Sequence, residues 1–197
     1  MSHNKERADA VRNRQAILDA ALVLFAEAKD PAALTMSAVA AAAGVGKGTL
    51  FRRFGDRAGL LRAVFDVQVE QVAQAIATGP SPLGPDTPPM IRIPAILRAI
   101  VDLKLDNRSL AQAVEALAPA ASSSPFVSER YSYIEDLLKQ QLAELLPQSE
   151  VVYTAHAMLG GARMDLLDYL SAQEGLTDEE IRQGLDAFVH RLLRDGP

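Results

Sequence analysis

Residues 44 to 55 read GVGKGTLFRRFG, with glycines, a lysine and a threonine closely spaced. These are the ingredients of a phosphate cradle. A nucleotide-binding P-loop reads G-x-x-x-x-G-K-[ST] and follows a strand. Here Lys47 follows Gly46, but Ala41 stands five positions earlier, Gly48 follows the lysine, and an Ala-rich run precedes. The stretch is therefore not a P-loop.

A second group of chemistry-bearing residues falls within 149–173, where His156, Arg163, Asp165 and Asp168 stand among apolar residues. His156, Arg163 and Asp168 are candidate ligand contacts. The chain has neither H-E-x-x-H nor closely paired histidines, and no spacing suggests a nucleophile with its base and orienter. With no cysteine, thiolate metal sites and cysteine nucleophiles are excluded. The expectation is no enzyme, no metal and no cofactor.

Both groups need elements to position them. Helical periodicity runs along nearly all of the 197 residues, and no stretch shows convincing strand alternation. Helices are predicted at about 10–29, from Thr35 or Ser37 to Ala43, at 47–54 and at 57–77. Further helices are expected at 93–106, 108–118, 126–146, 149–173 and 178–194. Asp30-Pro31 should stop the first helix, because the residue before proline is pushed out of the helical region. Gly44 and Gly55 sit where helices end, and Asp56 and Thr177 where they are capped. The Pro- and Gly-rich run 78–89 is a connection or a mobile flap, and 118–125 interrupts the later helices.

Charge is unevenly distributed. Residues 1–62 carry ten Lys and Arg against six Asp and Glu, a net +4. The remainder carries ten against nineteen, a net −9. A basic N-terminal third on an acidic chain suggests one part built for a polyanion. The polar N-terminus lacks the apolar core of a signal peptide, and no apolar run reaches the roughly 18 residues of a membrane span. A cytoplasmic protein without membrane contact is expected.

On a wheel of about 100° per residue, Leu50 and Phe54 point inward, whereas Gly48, Thr49, Arg52 and Arg53 point away. A short Ala-rich helix, a glycine turn and a small helix with a basic outer face make a helix-turn-helix. Gly48 lets backbone approach DNA, and Arg52, Arg53 and Thr49 can reach phosphates or base edges. Arg7, Arg12 and Arg14 could form an arm along the minor groove or simply a solvated helix start.

Residues 17–61, with ILDAALVLFAE, ALTMSAVAAAAGVGKGTLFRRFG and DRAGLL, resemble the DNA-binding domain of the TetR family of transcriptional regulators. The resemblance covers about a quarter of the chain and is specific in order and spacing. It implies an all-α protein: a three-helix DNA-binding domain at 1–56, joined by helix four to a helical effector-binding and dimerisation domain at 57–197. It implies DNA contacts at Thr35, Ser37, Lys47, Gly48, Thr49, Phe51, Arg52, Arg53 and Arg57. Three positions depart from the family's habit: Gly46 stands for the usual Ser, Phe51 for a common Tyr whose hydroxyl bonds phosphate, and Arg57-Ala-Gly59 for Lys followed by Glu. Gly59 either softens the first turn of helix four or is required for close packing of helix four against helix one.

The resemblance further implies a homodimeric repressor on a palindromic double-stranded operator, released when an unidentified small effector tilts helix four. The apolar series Ile181, Leu185, Phe188 and Leu192, with Ala157 and Gly161 on the preceding long helix, suits a four-helix contact between subunits. Packing of the same series within one chain is the alternative. Two other functions compete: an enzyme with its active site in the bundle, and a helical interaction module without DNA binding.

Overall fold

The computed structural model describes the backbone of residues 2–27, 34–117 and 129–194, and side chains over 12–27, 34–117 and 131–194. The expected stop at Asp30-Pro31, the interruption at 118–125 and the start of the helix expected from 126 lie outside the described residues, as does the Arg7 side chain. The described residues form an all-α protein. Its helices are α1 (Ser2–Glu27), α2 (Met36–Ala42), α3 (Lys47–Phe54), α4 (Arg57–Thr78), α5 (Pro89–Asp106), α6 (Arg108–Ala116), α7 (Glu129–Leu142), α8 (Gln148–Gly161), α9 (Met164–Ala172) and α10 (Asp178–Arg194). None is long and apolar enough to cross a membrane.

The chain divides into two compact units. One runs to Val69 and takes in Asn107–Leu117; the other holds Glu70–Asp106 and everything from Ala118. The units therefore do not follow a single cut at 56/57: the first three turns of α4, and α6, lie with α1–α3.

In the first unit, Ile17, Leu18, Ala21 and Phe25 of α1 are buried with Val39 and Ala40 of α2, Leu50 of α3 and Leu60, Leu61 and Val64 of α4. The 3.6-residue period gathers these side chains on one face of each helix. Leu110 and Ala111 of α6 are buried as well. Caps fix where the short helices begin. Thr35 is extended (φ −97°, ψ 151°) and its hydroxyl accepts the Ala38 N–H. The cap of α2 is therefore Thr35, and Ser37 lies in its first turn. Gly44 follows α2 at φ 64°, a left-handed conformation that costs glycine nothing. Asp56 accepts the Gly59 N–H at 2.7 Å and caps α4.

Gly59 has a packing reason. A Cβ built there would lie 2.1 Å from the carbonyl oxygen of Phe54, at the end of α3. The turn between α3 and α4 closes onto this glycine, and a methyl would force backbone to move. The close contact is with the end of α3, not with α1 as expected.

In the second unit, α5 supplies the central apolar face through Ile93, Ile96, Leu97, Val101 and Leu105, and it packs against α10 and α7. Ionic contacts flank the α5–α10 seam: Arg98 to Asp186 at 2.8 Å and Arg182 to Asp102 at 2.6 Å. Residues 79–88 form a tight connection held by Arg92. Its buried guanidinium donates to Leu83 O at 2.9 Å and to Ile76 O at 2.8 Å, giving two carbonyls charge-assisted partners. Thr177 caps α10 as expected and does so reciprocally. Its hydroxyl accepts the Glu180 N–H, and the Glu180 carboxylate accepts the Thr177 N–H.

The expected helix 149–173 is two helices. It breaks at Ala162-Arg163, where Arg163 is extended at the start of α9 and the Lys104 ammonium donates to Ala162 O at 2.7 Å. Periodicity on both sides of a break is the same, so the sequence pattern runs through it.

Candidate nucleic-acid interface

Leu50 positions α3. It is wholly buried, and Phe54 is half-buried one turn later with the Arg14 guanidinium over its ring at 5.9 Å. Arg14 thus fastens α1 to the C-terminal end of α3. Gly46 precedes α3 with extended backbone and no side chain to cap it, so its carbonyl begins the helix by accepting the Thr49 N–H at 2.9 Å. Gly55 ends it at φ 75°. Arg52 and Arg53 fall in the last turn, where cations complement the helix dipole.

Burial sorts the expected contacts. Lys47, Gly48, Phe51 and Arg52 are exposed, while Thr49 and Arg53 are half-buried. The outer face of α3 is therefore centred one step away from the predicted one: Phe51 and Lys47 join Gly48 and Arg52, and Thr49 and Arg53 move to its edges. One step is about 100°, and a helix of two turns can be rolled that far while Leu50 stays its main anchor. Lys47 holds its ammonium 5.9 Å from the Phe51 ring centre. Thr35 and Ser37 are exposed at the start of α2. The Arg57 Nε donates to Leu34 O at 3.1 Å, which ties α4 to the residue before the α2 cap.

The second candidate group is divided between α8, which carries His156, and α9, which carries Asp165 and Asp168 and begins at Arg163; the partners of His156 come from α7. The His156 ring is stacked on Tyr131, with centroids 5.9 Å apart, and its Nδ1 is 2.8 Å from the Tyr131 hydroxyl. Its Nε2 is 3.1 Å from Glu135 Oε1, which also pairs with Lys139. The carboxylate favours a proton on Nε2, so in the neutral ring Nδ1 accepts from the tyrosine. Burial raises the Tyr131 pKa above its ordinary value, the Glu135 charge adds to this, and the Arg163 charge opposes it. Arg163 forks onto Asp165 at 2.7 Å and holds that carboxyl below its usual range. Asp168 is half-buried on α9. Sequence reading missed Tyr131 and Glu135. Their four-residue spacing, continued by Lys139, was the available signal.

The expected subunit contacts separate in the same way. Ile181 and Leu185 are buried within their own chain together with Val189 and Leu193, four residues apart throughout. They belong to the intramolecular core, which corrects their placement at a subunit interface. Leu192 is half-buried, and Phe188 is 40 % exposed. Ala157 and Gly161 of α8 are half-buried, and a Cβ at Gly161 would touch Leu185 of the same chain at 3.8 Å.

Comparison with known proteins agrees with this architecture. Residues 17–64 match the model of the bacterial regulatory proteins of the tetR family. Over 194 residues the chain is 28 % identical to the HTH-type transcriptional regulator SAR0097 of Staphylococcus aureus (strain MRSA252), covering 98 % of this chain and 96 % of that protein. Among solved structures it shares its fold with a TetR-like transcriptional regulator from Rhodococcus sp. RHA1. There the TM-score is 0.63 at 18 % identity, covering 93 % of this chain and 96 % of the other. It also shares it with NalD of Pseudomonas aeruginosa, the secondary repressor of the MexAB-OprM multidrug efflux pump. That TM-score is 0.61 at 21 % identity, over 95 % and 98 % of the two chains. These relatives are regulators of transcription and not enzymes. The capped α2, glycine turn and Leu50-anchored α3 fall inside the matched segment, so residues 17–64 carry the helix-turn-helix domain of the tetR-family regulatory proteins, and over nearly its whole length the chain is similar to DNA-binding transcriptional regulators of that kind.

Proposed function

We propose that the protein is a homodimeric repressor that holds a palindromic operator through α3 and leaves it when a small effector binds the second unit. The observation that carries the DNA contact is the outer face of α3. Lys47, Gly48, Phe51 and Arg52 are exposed on a helix whose opposite side is anchored by buried Leu50. Arg52 supplies a base-edge or phosphate contact, Lys47 a phosphate contact, and Gly48 a bare stretch of backbone. Thr35 and Ser37 stand ready for phosphates at the start of α2. Thr49, Arg53 and Arg57 flank the interface.

Dimer formation is supported by faces that the described residues leave partly open. Tyr153, 81 % exposed, shares the outward side of α8 with Ala157 and Gly160, and Phe188 shares that of α10 with Gly184. Small residues beside a large ring suit close helix–helix approach across a two-fold axis. Two α3 helices would then enter successive major grooves about 34 Å apart. The effector reading places His156 at the contact, in its hydrogen-bonded group with Tyr131 and Glu135, with Arg163 and Asp168 nearby on the chain. An effector that binds the DNA-incompetent form more tightly shifts the population away from the operator. Repression is the role of NalD at its own pump, which makes it the first direction to test here.

Footprinting on the DNA upstream of the gene tests the proposal. Two protected half-sites related by inverted symmetry, one helical turn apart, are expected. A single unsymmetrical footprint would remove the dimer, and no footprint would leave the helical interaction module as the better reading.

A further inference from the structure

The Phe51 side chain is not part of the buried core. Leu50 and Phe54 provide the inward contacts of α3, and Phe51 leaves 42 % of its surface in solvent, in the middle of the outer face. Gly48 lies one turn before it, Lys47 four residues before and Arg52 beside it. A phenyl ring has no donor or acceptor for a phosphate oxygen, so a place against the sugar-phosphate backbone would dehydrate the anion with no hydrogen bond in return. Gly48 is open as well: a Cβ there would meet nothing within 4 Å. Packing within the chain therefore gives no reason for the missing side chain, whereas a base edge approaching the helix does. Lys47 keeps its ammonium on one side of the ring, at 5.9 Å from its centre. A cation there can follow the phosphates while the ring meets the groove floor. The apolar group that the floor of the major groove offers is the C5-methyl of thymine.

We propose that Phe51 is a specificity-determining residue that reads a thymine C5-methyl in each operator half-site. The proposal rests on α3 being the helix that enters the groove, and the test separates the two statements. A random-sequence duplex pool is carried through selection on the purified full-length protein. Each thymine of the selected site is then replaced by uracil, which removes the methyl and leaves base pairing intact. Affinities are measured for the wild type, Phe51→Ala, Phe51→Leu and Arg52→Ala, each first checked for an unchanged thermal melt.

At one thymine per half-site, uracil should weaken the wild type about fourfold, the effect of one buried methyl. At the same position 5-methylcytosine should bind better than cytosine. Phe51→Ala should lose both responses and keep its response to substitutions elsewhere, and Phe51→Leu should retain part of them. Wild-type indifference to the methyl at every thymine, or the same sensitivity in Phe51→Ala, would overturn the proposal. If no sequence is enriched and Arg52→Ala binds DNA like the wild type, the groove placement of α3 fails, and the proposal with it.

Discussion

α3 and α10 pose the same problem with opposite outcomes. Each presents an apolar series at helical spacing beside charged residues. In α3, Leu50 goes inward and the neighbouring residues stay out, leaving Lys47, Gly48, Phe51 and Arg52 for a partner. In α10, the residues expected to face a partner, Ile181 and Leu185, are used by the chain's own core. The buried series continues through Val189 and Leu193, and Phe188 lies to one side of it. A period shows that a helix has an apolar face. It does not show whether that face meets its own chain or another. In α3 the glycines, the threonine and the basic residues around the anchor supplied the missing information; α10 has no such markers.

Truncating α10 sharpens that contrast most. Leu185→Ala should lower the stability of the folded chain by about 2–5 kcal/mol, because it opens a cavity in the core. Phe188→Ala should leave the stability of the single subunit nearly unchanged and weaken self-association. Chemical denaturation with analytical ultracentrifugation reads both. Equal loss of association in the two variants at matched stability would return Leu185 to the interface.

The first unit should be most sensitive where backbone meets backbone. Gly59→Ala sets a methyl against the Phe54 carbonyl and should cost about 1–3 kcal/mol by overpacking. For a chain of this size each kcal/mol lowers Tm by about 2–4 °C. An unchanged or raised melt, with stronger effector-driven release, would instead favour Gly59 as a soft point of α4. Thr35→Ala removes the cap of α2 and should cost about 1 kcal/mol, whereas Ser37→Ala should cost little. Comparing their thermal melts decides whether the cap has been placed correctly.

The smallest effect belongs to the α7–α8 group. Burial and Glu135 raise the Tyr131 pKa, so the neutral phenol is favoured in the folded chain. Its contribution to stability is intact below the ordinary tyrosine value of about 10 and is lost as pH rises through the raised folded value. In a spectrophotometric titration, one of the four tyrosines should ionise late, and that phase should be absent in Tyr131→Phe. Four tyrosines titrating together would contradict the half-buried placement of Tyr131 beside Glu135.

Legibility followed how local the determining physics was. The limits of α3, the left-handed Gly44 and the caps at Asp56 and Thr177 depend on a few adjacent residues, and all of them stood in the sequence. At the break between α8 and α9, Ala162 O takes its hydrogen bond from Lys104, fifty-eight residues away, a partner that was not visible. The pinned connection 79–88 likewise depends on Arg92 reaching back to Ile76 and Leu83. His156 was grouped with Arg163, Asp165 and Asp168, but its partners Tyr131 and Glu135 became known only once α7 was laid against α8. The outer face of α3 was found to within one residue's rotation, which was enough to name Arg52 and too coarse to separate Phe51 from Thr49.

The central claim is that this outer face grips DNA, and Arg52 tests it most directly. Binding of the upstream duplex and of a random duplex is measured by fluorescence anisotropy across a salt series, for the wild type and for folded Arg52→Ala. The wild type should prefer the upstream duplex, with log K falling linearly against log salt. Arg52→Ala should weaken upstream binding by about 1–3 kcal/mol. That loss should fall at one base position if the guanidinium reads a base, and on both duplexes alike if it holds phosphate. Unchanged affinity in folded Arg52→Ala, or no preference of the wild type for the upstream duplex, would contradict the account.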